Sequence, residues 1–316
     1  MTTTWTTWMT TAMPEPMLCF VNVHDGRVVS VFGARAEPYR AHPEWREVTV
    51  YEAARLQLAR LKVIGEMGRF AQTHEHQPVP RVKHVRVSAT IMSHPAREHL
   101  EERLREAIRW PITTIVDDGI GPWKTARAAW LTSHKNATHH VVFEDDAVPC
   151  HDLMCGMRVA LEAVPNQVVS FFSFRRWADG KSPISLARKV GSSWGTCDIA
   201  ATNVAIAMPT CWISEWLAFC ARHIKPECPV QSVRLDCWLA MTKRRCWFTV
   251  PSLVDHDDDG SLMWGKKFGE NKRRAELFIG RSVPGDIIDW RNGSAKPPHC
   301  KVGERPWERY AVWYQE

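Results

Sequence analysis

The 316-residue chain contains no apolar run near the roughly 18 to 20 residues that a membrane-spanning helix needs, so no membrane partner is expected. Its N-terminus lacks a basic start followed by a long apolar stretch, which argues against a secretory leader. Residues 1–16, rich in threonine and carrying Trp5 and Trp8, read as a disordered tail. No GxGxxG or P-loop follows the first strand of the α/β region, so dinucleotide and NTPase chemistry are disfavoured. CxxC pairs and internal repeats are also missing, and the spacing of His140, Cys150, His151 and Cys155 fits no standard zinc module. These absences describe a soluble, cytoplasmic protein.

The chain does carry ten cysteines, most of them among apolar residues (Cys19, Cys197, Cys211, Cys220, Cys237, Cys246), the pattern of buried reduced thiols. It has sixteen tryptophans, an excess that calls for an account. Trp130, Trp212, Trp216 and Trp238 lie in apolar helical patterns and are expected in the core. Trp123, Trp177, Trp194 and Trp264, like Trp5 and Trp8, sit in polar or glycine-rich surroundings, where an indole can stack on sugars or bases. The net charge of +6 suits a polyanionic partner without requiring one.

Two β-rich runs, 18–23 and 27–32, joined across His24-Asp25-Gly26, predict a hairpin. The apolar spacing from Tyr51 to Phe70 predicts an amphipathic helix. With a linker from Gln72 to Pro80, residues 17–80 form an accessory unit. From Val85 strands and helices alternate: strand 85–92, helix 95–110, strand 112–116, helix 122–135 and strand 140–143. That order predicts an α/β fold, a mostly parallel Rossmann-type sheet with ligands at the carboxyl ends of its strands. Further on, Trp177 to Gly195 reads as a loop, 211–223 and 232–243 as helices, and 247–250 as a strand. Residues 266–316 read as a basic, then proline-rich extension.

The third strand ends in Glu144-Asp145-Asp146. In an extended chain Glu144 and Asp146 share a face and Asp145 points away. Anions clustered at a strand end repel one another unless a divalent cation bridges them. Upstream stand Ser93-His94-Pro95-Ala96-Arg97, Val116-Asp117-Asp118-Gly119 and Ala126-Arg127; downstream stand Leu235-Asp236-Cys237-Trp238-Leu239 and Pro251-Ser252-Leu253-Val254-Asp255-His256. In this order the motifs of residues 84–265 resemble a GT-A-type glycosyltransferase, of the lipopolysaccharide type or the viral DNA-modifying type, with Glu-Asp-Asp replacing Asp-x-Asp.

The resemblance implies a nucleotide-sugar donor, most simply a UDP-sugar, and a Mn²⁺ or Mg²⁺ ion to offset the charge growing on its diphosphate. Asp146 is the first expected metal ligand and His256 the second, with Asp257, Asp258 and Asp259 as competitors. Glu144 contacts either the metal or the donor ribose. Ser93, Arg97, Asp117, Arg127 and Asp145 are expected around the donor, Asp117 at the nucleobase or ribose, with Asp118 the better candidate for the tight turn. Asp236 is read as the general base of an inverting transfer or as the cap of the helical run Asp-Cys-Trp-Leu-Ala that it opens; a mere cap leaves a retaining route open.

Residues 266–281 hold Lys266, Lys267, Lys272, Arg273, Arg274 and Arg281 against Glu270 and Glu276, a cluster able to track duplex DNA phosphates. A hydroxymethylated base in phage DNA, flipped from the stack, is then the leading acceptor. A protein or saccharide hydroxyl is the runner-up. The rival from another class is a nucleic-acid-binding protein that keeps a degenerate transferase core and catalyses nothing.

Overall fold

The computed structural model describes residues 17–22, 28–32, 37–41, 45–49, 52–53, 84–174, 182–257, 274–301, 310 and 313. The expected N-terminal tail, most of the 51–70 helix, the 72–80 linker, and Trp5, Trp8, Trp177 and Trp264 lie outside them.

Near the N-terminus, β1 (Met17–Asn22) pairs antiparallel with β2 (Val28–Phe32), in keeping with the expected hairpin. A strand that sequence reading did not anticipate, β3 (Trp45–Val48), pairs with the other edge of β1, after the short helix α1 (Glu37–Arg40).

The rest is an α/β fold around one mixed, mostly parallel sheet. Its elements, in chain order, are β4 (Val87–Ser93), α2 (Glu98–Ile108), β5 (Thr113–Val116), α3 (Pro122–Leu131), β6 (His139–Glu144), β7 (Ala147–Pro149), α4 (Leu153–Ala163), β8 (Val168–Ser170), α5 (Pro183–Lys189), β9 (Trp194–Cys197), β10 (Ala205–Pro209), α6 (Thr210–His223), α7 (Gln231–Met241), β11 (Cys246–Thr249), β12 (Val254–His256) and β13 (His299–Cys300). Eight strands form the sheet in the order β13-β9-β11-β8-β10-β6-β4-β5. β4, β5 and β6 are mutually parallel, whereas β10 runs antiparallel between β6 and β8. The separate pair β7–β12 is antiparallel.

Strand alternation builds a core on each face. Along β6 and β10, Val142, Ile206 and Met208 join α3, α6 and α7 in one core, while Val141, Phe143, Ala205 and Ala207 join α2 and α4 in the other. Full burial of each of the larger side chains, the two alanines aside, stabilises the fold by about 1.5–3 kcal/mol. In α2 the buried residues Leu100, Leu104 and Ile108 recur every four positions, which fixes the face turned to the sheet.

Several expectations change. Trp177 to Gly195 is not all loop, because α5 and the start of β9 fall within it. Ser182 accepts a hydrogen bond from the Ser185 backbone and Ser185 returns one, a capping box with Pro183 at the first helical position. In β9 only glycine fits at 195, since a Cβ there would lie 2.3 Å from the Pro183 carbonyl oxygen. Trp194 is no stacking platform; it is fully buried beside Trp247 and Trp290, its indole N–H donating to the Trp290 carbonyl. Trp123 is half-buried edge-on to Trp216 beneath the Arg234 guanidinium, 4.0 Å from its ring centre. Cys211 is exposed, whereas Cys197, Cys220, Cys237 and Cys246 are buried as expected. The C-terminal extension also joins the sheet, through β13 beside β9.

Another close approach fastens that extension. Gly156 of α4 faces the 3-10 turn Gly285–Ile287, and a Cβ on it would meet the Gly285 Cα at 2.7 Å. Gly156→Ala is therefore predicted to destabilise the protein by about 1–3 kcal/mol. Urea unfolding measures it, and an unchanged midpoint would mean the turn simply backs away.

Candidate metal centre

Because β4, β5 and β6 are parallel, their carboxyl ends meet at one edge, with Met92 opposite Glu144 and Ser93 opposite Val116. The Ser93 carbonyl accepts a hydrogen bond from the Asp117 N–H at 2.8 Å, which ties the ends of β4 and β5 together. Asp117, not Asp118, builds the turn that follows. Its Oδ1 accepts from the N–H groups of Gly119 (3.2 Å) and Gly121 (2.8 Å). Both glycines have φ near +100°, a region L side chains avoid. The turn role belongs to Asp117 because its oxygen sits where the chain doubles back.

After β4, the His94 ring accepts from the Ala96 N–H and starts the 3-10 turn Pro95–Arg97. That turn drives Arg97 inward, where it is buried. Its Nη1 lies 3.1 Å from Asp145 Oδ1 and 2.5 Å from Asp146 Oδ2. The His94 N–H donates to Asp145 Oδ2 at 3.0 Å. Arg97 and Asp145, both expected around a donor, thus belong to the interior of the carboxylate cluster.

β6 ends at Glu144, and residues 145 and 146 form a turn rather than extended chain. Glu144 and Asp146 still converge, although by a different geometry from simple strand alternation. One residue later β7 begins, and its pairing with β12 sets Ala147 opposite His256. His256 Nε2 lies 3.2 Å from Asp146 Oδ2. Ligand atoms of Glu144, Asp146 and His256 all fall within 4.8 Å of one another, the one such group found among the described residues.

Asp146 Oδ1 is buried and has no hydrogen-bond partner among the described residues. A buried carboxylate oxygen left so costs about 1–3 kcal/mol or more. Three carboxylates against the Arg97 guanidinium leave two negative charges when Glu144 is ionised and His256 neutral. Two carboxylates and an imidazole around a buried, doubly negative site fit a divalent cation, and the imidazole favours Mn²⁺ over Mg²⁺.

The electrostatics agree. Burial, then the charge of Asp146, pushes the Glu144 carboxyl up to about 7. The same two causes raise Asp145. Burial works to raise Asp146 as well, but the His256 hydrogen bond and charge, with Arg97 behind them, hold it below its usual value. Burial likewise works to lower Arg97, yet Asp146 and Asp145 keep it raised.

Of the competing aspartates, Asp257 is engaged: its N–H donates to the Asp146 carbonyl and its carboxylate pairs with Arg103 at 2.5 Å. Asp258 and Asp259 lie outside the described residues. Asp255, which sequence reading gave no role, is buried, with Oδ1 accepting from the N–H groups of His256 (2.9 Å) and Ala275 (2.7 Å). Its Oδ2 pairs with Arg274 at 2.5 Å. Arg274, expected on DNA, therefore closes the stretch that leaves at Asp257; Lys266, Lys267, Lys272 and Arg273 lie outside the described residues. The signal was an acid directly beside His256 in a β-rich run, whose side chain must face the other way.

Asp236 stands in the middle of α7 and does not open it, so the cap reading fails. Its side chain is buried, and Oδ1 accepts from the N–H groups of Ala200 (2.6 Å) and Ala201 (3.2 Å). Arg127 is exposed on α3. His140 is held in the sheet by Ser88 and the Ala129 carbonyl, and burial pushes it down to about 4, so it is spent as a zinc ligand. No helix among the described residues is long and apolar enough to cross a membrane. No protein-family model and no curated protein matches the chain in sequence.

An acid pushed up to about 7 has to release its proton before it ligates. Mn²⁺ affinity is therefore predicted to strengthen as pH rises through about 7, with protons released below it. The sign for stability is opposite. A folded pKa above the ordinary 4.5 penalises the ionised form, so the metal-free protein loses stability between about 4.5 and 7. Calorimetry in two buffers of different ionisation enthalpy tests the linkage, and metal binding without proton release near pH 6 would remove Glu144 from the ligand set.

Proposed function

We propose that the chain is a divalent-metal-dependent glycosyltransferase with a GT-A-like core, transferring a sugar from a nucleotide-sugar to a hydroxyl. The observation that carries this reading is the convergence of Glu144, Asp146 and His256 at the carboxyl edge of the parallel strands β4, β5 and β6, with one Asp146 oxygen unsatisfied among the described residues. Asp146 and His256 would hold the ion, with Glu144 beside them. When bound, the ion offsets the negative charge that grows on a diphosphate leaving group.

The remaining roles fall to the chain itself. Ser93 and the Asp117 turn border the same edge, where the nucleoside would rest. Arg97 fixes Asp145 and Asp146 in place and, after His256, helps hold Asp146 below its usual pKa. Asp236 is assigned the general base from its place in the motif order. Its carboxylate faces the Ala200 and Ala201 amides, so it reaches an acceptor only when that loop moves aside.

For the acceptor we favour a hydroxymethylated base in duplex DNA. Residues 258–273, with Lys266, Lys267, Lys272 and Arg273, leave and rejoin the described fold beside the candidate metal centre, at Asp257 and Arg274. Basic chain anchored there is suited to phosphates flanking a base offered to the site. The test is mass spectrometry of hydroxymethylated and unmodified duplexes after incubation with UDP-sugars and Mn²⁺. A hexose mass on the modified duplex alone is expected. Labelling of a protein or saccharide instead would move the acceptor, and the absence of any metal-dependent donor turnover would remove the enzyme reading.

Two substitutions separate the roles. Asp146→Asn keeps the shape but removes charge, and Mn²⁺-dependent hydrolysis of a UDP-sugar is predicted to fall by at least about two orders of magnitude. Asp236→Asn is predicted to lower turnover by about two to four orders of magnitude, the usual worth of a positioned base, while donor binding holds. A loss of folding stability with turnover per folded molecule intact would make Asp236 only a bracket for the 200–201 loop.

A further inference from the structure

A second site lies beyond the far end of β7 from Asp146. It is a cavity of about 240 Å³ between the C-terminal half of α2 and the chain that leads from β7 into α4. Its floor is apolar, with Val148 buried, and its exposed rim carries Arg103, Arg109, Arg281 and His151. The one carboxylate on the rim, Asp152, lies 2.9 Å from the His151 ring. Three guanidinium groups thus face a single acid. Arg103 is shared with Asp257, while Arg109 and Arg281 have no ion-pair partner among the described residues.

The backbone sets where two of the rim side chains stand. Arg109 and Asp152 both hold φ of 49°, the left-handed region that disfavours residues with a Cβ. Just four non-glycine residues among those described do so, and two of them border this one cavity. At Arg109 this is the left-handed cap that ends α2, its N–H donating to the Arg105 carbonyl, and it fixes where the guanidinium leaves the helix. Glycine at 109, the ordinary choice after a helix, would take this φ freely but would remove the guanidinium.

We propose that this cavity is a binding site for a phosphate group, gripped by Arg109 and Arg281 and reached by Arg103. Planar guanidinium groups match phosphate oxygens in charge and in paired donor geometry. The volume exceeds what one phosphate fills and leaves room for an attached ester group. Arg103 also links the site to the metal centre, because its partner Asp257 donates to the Asp146 carbonyl. The proposal does not rest on the transferase reading, and its test needs neither metal nor donor.

The experiment is calorimetric titration of the full chain at low salt with inorganic phosphate and, separately, with a thymidine dinucleotide as phosphodiester. Saturable binding is expected, weakened at least about tenfold in Arg109→Gln and Arg281→Gln, the worth of one charge-assisted hydrogen bond. Arg109→Gly should weaken binding equally while raising the thermal midpoint, since glycine takes that φ without penalty. Binding of phosphate alone identifies a free phosphate or phosphorylated metabolite as the source, and binding of the dinucleotide identifies a nucleic-acid backbone. Failure of the wild-type chain to bind either probe, or unchanged affinity in the glutamine variants, overturns the proposal.

Discussion

Three consecutive carboxylates brought together at the end of one buried strand are the constraint around which this fold is arranged. Repulsion in a low-dielectric site makes Glu144, Asp145 and Asp146 costly to assemble, and each neighbouring element relieves part of that cost. The 3-10 turn after β4 supplies Arg97 and the His94 N–H. The β7–β12 pair supplies His256. What they leave is specific: one Asp146 oxygen without a partner among the described residues and a Glu144 carboxyl held up to about 7.

The centre therefore joins two kinds of support. Glu144 and the Arg97 turn sit at the ends of interior sheet strands, where backbone pairing and both cores fix them. His256 and Asp257 come instead from a short antiparallel ribbon, held by Asp255 through the Ala275 N–H and Arg274. Loss of the Asp255 contacts would release the ribbon without touching the main sheet. The candidate metal centre is thus assembled across the chain, and its second half depends on a clamp made by Asp255, which lies outside the candidate ligand group.

Much of this was legible in the sequence, for identifiable reasons. β4, α2, α3 and β6 follow from pattern, because each buries a strand face or helix stripe, and the edge strand β5 follows from its β-branched run. The convergence on Asp146 followed from the bunching of acids. What escaped has no local signature. Trp194 looks polar in its neighbourhood, yet Trp247 and Trp290, distant in sequence, bury it. Asp236 looked like a helix opener because its helix starts at Gln231, among residues with little amphipathic contrast. The grouping of Arg103, Arg109 and Arg281 is a product of packing, since no sequence spacing relates them.

Arg97 constrains any metal chemistry at this site. A guanidinium does not deprotonate in the physiological range, so it offsets one of the cluster's three charges permanently, and Glu144 is the carboxyl pushed up to about 7. Without Arg97, three buried acids would hold protons more tightly, and a cation would have to displace several of them. With His256 and then Arg97 beside it, Asp146 is held below its usual pKa, and the Glu144 carboxyl, held up to about 7, must give up its proton before it ligates. The arginine that looks like a competitor for the cation's place is, by this reasoning, what helps His256 keep Asp146 charged there, while Glu144 still has a proton to release near pH 7.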